Sequence, residues 1–213
     1  MTARAKSPAS KVLTWAQRVL FAIAFVTLGY CAWVMTESWM FQRQQNARLE
    51  RLLTARQTTV IDASPTVPSA LPPVESPVES KIETGELIGR IAVERLGLSV
   101  VVVEGTDTST LKRAAGHIAG TAFPGQPGNV GIAAHRDTYF RPLRDIRKDD
   151  VITVTTPGGD YRYRVVSTRI VTPDDVSVLN SDGTDVLTLV TCYPFNYIGP
   201  APNRFIIRAQ QIS

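Results

Sequence analysis

The chain is poor in the residues that most often carry chemistry: its 213 residues include two cysteines and two histidines. So few leave no room for a disulfide framework or a zinc-finger arrangement, and no ligand cluster recurs at a recognisable metal spacing. Cys31 falls in an apolar run of membrane length and Cys192 in the distal part, so the two are poorly placed to pair. No internal repeat is visible. A basic patch is missing too. Residues 1–83 carry nine Lys/Arg against six Asp/Glu and residues 84–213 carry fourteen against thirteen, which leaves the distal part almost neutral. A nucleic-acid partner is therefore not expected, and neither is a metal or cofactor.

What is present divides the chain into five stretches. Residues 1–18 form a basic tail with Arg4, Lys6, Lys11 and Arg18. Residues 19–36 read as a transmembrane signal-anchor helix, because Val19 to Met35 is apolar apart from Thr27 and just long enough to cross a bilayer. Trp15, Trp33 and Trp39 suit its interfaces. No Ala-x-Ala-like site follows, so the segment is expected to be retained, with the N-terminus inside and the distal domain outside the cell membrane. Arg43, Arg48, Arg51 and Arg56 nearly balance the positive charge in front of the span. Residues 37–56 are strong helix formers and predict a polar juxtamembrane stalk, with apolar spacing too thin to specify a coiled coil. Residues 57–83 hold Pro65, Pro68, Pro72, Pro73 and Pro77 and read as a linker, spanning roughly 30 Å as a flexible coil and about 80 Å when extended.

Residues 84–213 predict the folded domain. Strands are expected over Leu87–Val93, Leu98–Val103, Asn129–His135, Asp150–Thr156, Tyr161–Thr172, Asp185–Cys192 and Arg204–Ile212, with a hairpin turn at Pro157-Gly158-Gly159-Asp160. Asp107–Arg113 reads as a short helix capped by Asp107 or Thr108, and single helical turns are expected in Phe140–Ile146 and Asp174–Asn180. Many short strands with little helix argue for an all-β, closed or nearly closed barrel.

Asp185–Cys192 and Arg204–Ile212 are joined by the loop Tyr193–Asn203. Antiparallel pairing of the two would set Cys192 beside Arg204 at one rim of the sheet. A nearby cation favours the thiolate form of a cysteine, and a guanidinium can donate to an oxyanion as it develops. His135, at the C-terminal end of another strand, is a candidate proton carrier for the same rim. Taken alone, each of the three residues could equally be structural.

Thr188-Leu189-Val190-Thr191-Cys192 resembles the TLxTC motif of the bacterial sortases, Ala134-His135-Arg136-Asp137 resembles their histidine motif, and Arg204 falls where their arginine follows the cysteine. Gly116-His117-Ile118-Ala119-Gly120-Thr121, Pro124-Gly125, Gly128-Asn129 and Phe140-Arg141-Pro142-Leu143 are most similar to the class D group. Ala134 departs from the glycine more usual before the histidine, which affects backbone freedom and not chemistry.

The resemblance implies an eight-stranded sortase-type β-barrel and a cysteine transpeptidase without metal or cofactor. Cys192 would be the nucleophile, His135 the proton carrier and Arg204 the oxyanion donor, leaving His117 a structural or pocket-lining role. Asp137 is a candidate orienter of His135 that the resemblance does not require. Thr191 would support the sheet. Substrate contacts are expected from Thr188, which shares a strand face with Cys192, and from the flanking loops, including Val171, Val176 and Tyr193. The implied partners are surface proteins with a C-terminal sorting motif and an amine from cell wall or protein, with the bilayer holding the N-terminal helix. Two other readings of the residues stay open: a cysteine protease or thioesterase that uses water, and an inactive peptide-binding scaffold.

Overall fold

The computed structural model describes residues 8–61 and 83–212. The first seven residues of the basic tail and most of the Pro-rich linker lie outside the described residues. Helix α1 runs from Pro8 to Ile61 without Pro or Gly breaking it after its first residue, apart from Gly29. The chain divides into two compact units, residues 1–40 and 41–213.

In the first unit the apolar side chains of α1 face outward on every side, among them Leu20, Phe21, Phe25, Val26, Leu28 and Trp33. A helix apolar all round and unburied is one that water does not solvate well, and α1 is long and apolar enough to cross a membrane.

The second unit is a closed eight-stranded barrel: β1 Leu87–Val93, β2 Leu98–Glu104, β3 Ala115–His117, β4 Asn129–Ala133, β5 Val151–Thr156, β6 Gly159–Val171, β7 Val186–Tyr193 and β8 Asn203–Ile212. The order around the barrel is β1-β2-β3-β4-β7-β8-β6-β5. The pairs β2/β3 and β4/β7 are parallel and the rest antiparallel. Side chains alternate across each strand, so Ile91, Val93, Val100, Val102, Ile132, Val154, Leu187, Leu189 and Ile207 fill the interior with Phe140 and Leu143. Strand β3, three residues long, is the one strand the sequence did not predict. Without it the barrel would not close.

Beyond Asp107, whose carboxylate accepts from the backbone N–H groups of Ser109 and Thr110, lies helix α2, Thr108–Leu111. His117 ends β3 opposite Glu104. Its Nδ1 lies 2.6 Å from the Glu104 carboxylate and its Nε2 3.0 Å from the Ala122 carbonyl. Both ring nitrogens face acceptors and Phe123 stacks on the ring at 4.5 Å, so His117 holds the β3–β4 loop and has the structural role.

Residues 41–56 of α1 do not stand free as a stalk. Phe41, Gln42, Gln45, Asn46, Leu49 and Leu53 recur at helical spacing and are the less exposed side chains of this stretch, with Leu49 fully buried. Phe41 packs on Val101, Val103 and Ala114. This explains why Val100 to Val103 is apolar without alternation: both faces of β2 are covered. Gln42 fills the splay where β2 and the segment entering β3 part. Its amide nitrogen donates to the Arg113 carbonyl at 2.6 Å and its oxygen accepts from the Val101 N–H at 3.0 Å.

Candidate active site

The site is assembled by strand register. Parallel pairing places Ala133, the last residue of β4, beside Val190 of β7, so both chains leave the barrel at one rim: β4 toward His135, β7 toward Cys192. On the other side of β7, Cys192 lies opposite Arg204, and Arg204 in turn lies opposite Val171 of β6. Residues directly opposite share a face. Val171, Arg204 and Cys192 thus form a row on the outer surface of the barrel, while Leu187 and Leu189 point inward.

The histidine segment is fixed from both sides. The Ala134 N–H donates to the Val190 carbonyl at 3.2 Å, and the Thr191 hydroxyl donates to the Ala134 carbonyl at 2.8 Å. The Phe140 N–H closes a turn onto the His135 carbonyl at 3.0 Å, with Phe140 buried in the core. His135, Cys192 and Arg204 are each partly exposed, as groups that must meet a substrate require. Arg204 Nη1 donates to the carbonyls of Ala201 and Asn203 at 3.3 and 3.1 Å, which leaves Nε and Nη2 for another acceptor among the described residues. Asp137 is exposed, and no hydrogen bond joins it to His135 among the described residues.

Of the expected substrate contacts, Val171 lies in the row with Cys192 and Val176 is exposed at the start of the 3₁₀ turn Val176–Leu179. Tyr193 falls on the opposite face of β7 from Cys192, its ring against Phe195 and Phe205. Thr188 is a correction. It is fully buried and its hydroxyl proton is spent on Asn129 Oδ1 at 2.8 Å, so it has no surface to offer a peptide. Arg208 pairs with Asp182 at 2.6 Å.

Two residues that sequence reasoning passed over hold the flanking loops. Arg136 Nη2 donates to the carbonyls of Tyr197 and Gly199 at 2.6 and 3.1 Å, and its guanidinium lies 5.9 Å from the Tyr197 ring centroid. Asn129 reaches the other loop. Both sit inside the quoted motifs, and a buried or clasping role for each could have been asked from that position alone.

A closed barrel that sets a cysteine against an arginine at one rim, with a histidine leaving the adjacent strand, is an arrangement that suits a cysteine acyl-transfer enzyme. The sortase-domain family model matches residues 91–212. The chain is 34% identical over 134 residues to sortase D of Bacillus subtilis (strain 168), covering 62% of this chain and 68% of that protein. It is 26% identical over 125 residues to sortase A of Bacillus anthracis, covering 57% and 59%, so it spans about three fifths to two thirds of these relatives. In fold it is similar to a Clostridium perfringens sortase D5 transpeptidase, at 23% identity and TM-score 0.64 over 82% of this chain and 99% of that one. A lid mutant of sortase A from Corynebacterium diphtheriae gives 26% and 0.56 over 79% and 95%. The chain belongs to the sortase family of cysteine transpeptidases, and within it is class D-like.

Proposed function

We propose that this is a membrane-anchored sortase that cuts an LPxTG-like C-terminal sorting motif of surface proteins and joins the acyl part to an amine. The observation that carries the reading is the register match of Cys192 with Arg204, beside the strand that leads to His135. The Cys192 thiolate adds to the scissile carbonyl carbon, and the free N–H groups of Arg204 donate to the oxyanion. The C–N bond breaks as the His135 imidazolium gives its proton to the departing amine, leaving a thioester on Cys192. An incoming amine, from a cell-wall peptide or a protein subunit, loses a proton to His135 as it attacks, and the C–S bond breaks to return the thiolate.

The apolar, outward-facing first unit supports anchoring through residues 19–36, and in this reading residues 1–18 lie inside and residues 84–213 outside the cell. Tethering enzyme and substrate to one membrane raises the effective concentration of each for the other. Mass spectrometry of full-length enzyme with motif peptides, with and without added amine, tests the reading. A thioester adduct on Cys192 and an amide product that requires the amine are expected. Hydrolysis under every amine would leave a thiol protease instead, and no adduct at all would leave a peptide-binding scaffold.

A further inference from the structure

The loop between β6 and β7 starts at Val171, in the row with Cys192, and ends at Val186, beside Asn129 at the far rim. It therefore runs the height of the barrel along the outer face that carries Cys192. Its two halves are held differently. From Val178 onward it is tied to the barrel three times. Asn129 Nδ2 donates to the carbonyls of Val178 and Asn180 at 3.2 and 3.3 Å, Asp182 pairs with Arg208, and the Asp185 carboxylate accepts from the Gly128 N–H at 3.0 Å. Among the described residues, 172–177 form hydrogen bonds only within the loop, such as Asp175 N–H to the Thr172 carbonyl.

Asn129 is the hinge between these halves and is 3% exposed. Its amide is fully committed: two N–H groups meet two carbonyls, and its oxygen accepts from Thr188. Thr188 lies on the same face of β7 as Cys192, four residues away, about 13 Å along the strand. That is the length of roughly four extended residues. The clamp thus fixes the loop at the end of this face away from the thiol, with Val178 buried and Val176 exposed.

Resting on the peptide-transfer reading, we infer that Asn129, braced by Thr188, is a positioning residue that sets the height of the Val176–Leu179 wall and so the peptide side chains the groove accepts. It acts on binding and selectivity, and the bond-making groups at the opposite end of this face do not depend on it.

The test compares full-length wild type with Asn129→Asp, Thr188→Val and Thr188→Ser. Asn129→Asp keeps the shape but removes both donors and turns an oxygen toward two carbonyls. Motif peptides varied one position at a time give KM and kcat, iodoacetamide gives the alkylation rate of Cys192, and hydrogen exchange follows residues 172–185. Expected is a KM about tenfold higher for Thr188→Val, which loses one buried hydrogen bond, and at least about tenfold higher for Asn129→Asp, which loses two, with flattened preference among peptides and faster exchange in residues 176–180. kcat and alkylation should stay within about threefold of wild type, and Thr188→Ser should behave as wild type. Unchanged KM and preference in both variants, or an equal loss of kcat and alkylation, overturns the positioning role. Absence of wild-type turnover on every peptide would instead overturn the transpeptidase reading, and hydrogen exchange would then decide by itself whether Asn129 holds the loop.

Discussion

Thr191, the residue before Cys192, donates its hydroxyl to the carbonyl of Ala134, the residue before His135, at 2.8 Å. The bond crosses from β7 to the end of β4 inside the barrel, where Thr191 is almost fully buried. It locks the backbone that carries the thiol to the backbone that carries the imidazole. Thr191→Val keeps the shape and orphans a buried carbonyl, so stability should fall by about 1–3 kcal/mol and kcat by about tenfold as the two groups lose alignment. Urea denaturation and steady-state turnover read the two effects, and Thr191→Ser should restore both.

Arg204 spends Nη1 on its own loop, keeps Nε and Nη2 without a hydrogen-bond partner among the described residues, and pairs with Cys192 across β7 and β8. A lysine cannot do both, because a single ammonium lacks the fork. Arg204→Lys should lower kcat by roughly 10²–10³, the loss seen when an oxyanion donor is removed. Its melting temperature should stay near that of wild type. Turnover at the wild-type rate would remove Arg204 from the chemistry.

Acid should destabilise the barrel through three carboxylates. Hydrogen bonds from Ser109 and Thr110 hold Asp107 below the usual carboxylate range. The hydrogen bond from Arg95 lowers Asp150, and that from the Thr184 hydroxyl, with the charge of Arg208 behind it, lowers Asp182. Each folded value lies under the ordinary 3.8. The unfolded chain therefore takes up protons first as pH drops. The stabilisation is complete above about pH 5 and lost as pH falls through the folded values. Urea midpoints should fall between about pH 6 and about pH 3, and Asp150→Asn should flatten part of that slope.

Gln42 supplies through its side chain the donor and acceptor that a strand would otherwise provide between β2 and the approach to β3. Gln42→Ala leaves a backbone N–H and a carbonyl unpaired and should destabilise the second unit by about 1–2 kcal/mol. Hydrogen exchange of the full-length chain in detergent should show the Val101 amide losing protection. A barrel cut to residues 84–213 should expose the apolar patch of Val101, Val103 and Ala114 that Phe41 covers.

Much of this architecture was legible from alternation and turn residues. The sequence predicts Leu87–Val93 at its observed bounds and the Cys192–Arg204 pairing from nothing more than two strands and a loop, and of the two caps it offers for α2, Asp107 and Thr108, the structure selects Asp107. Strand β3 was not legible, because three residues, Ala115-Gly116-His117, carry no periodicity. The docking of α1 was hidden for a different reason: its barrel-facing stripe is largely amide, through Gln42, Gln45 and Asn46, and reads as solvent-facing polarity until a backbone partner is seen. Thr188 shows the limit of face-counting. Sharing a face with Cys192 was right, but a loop lies over that face at one end and leaves it open at the other.

The ring of eight strands has a further effect that concerns neighbours and not substrates. With every β-strand paired on both sides, the described residues present no open sheet edge for another copy to extend. Many copies of the barrel can therefore be crowded side by side without stacking strand on strand into ordered aggregates.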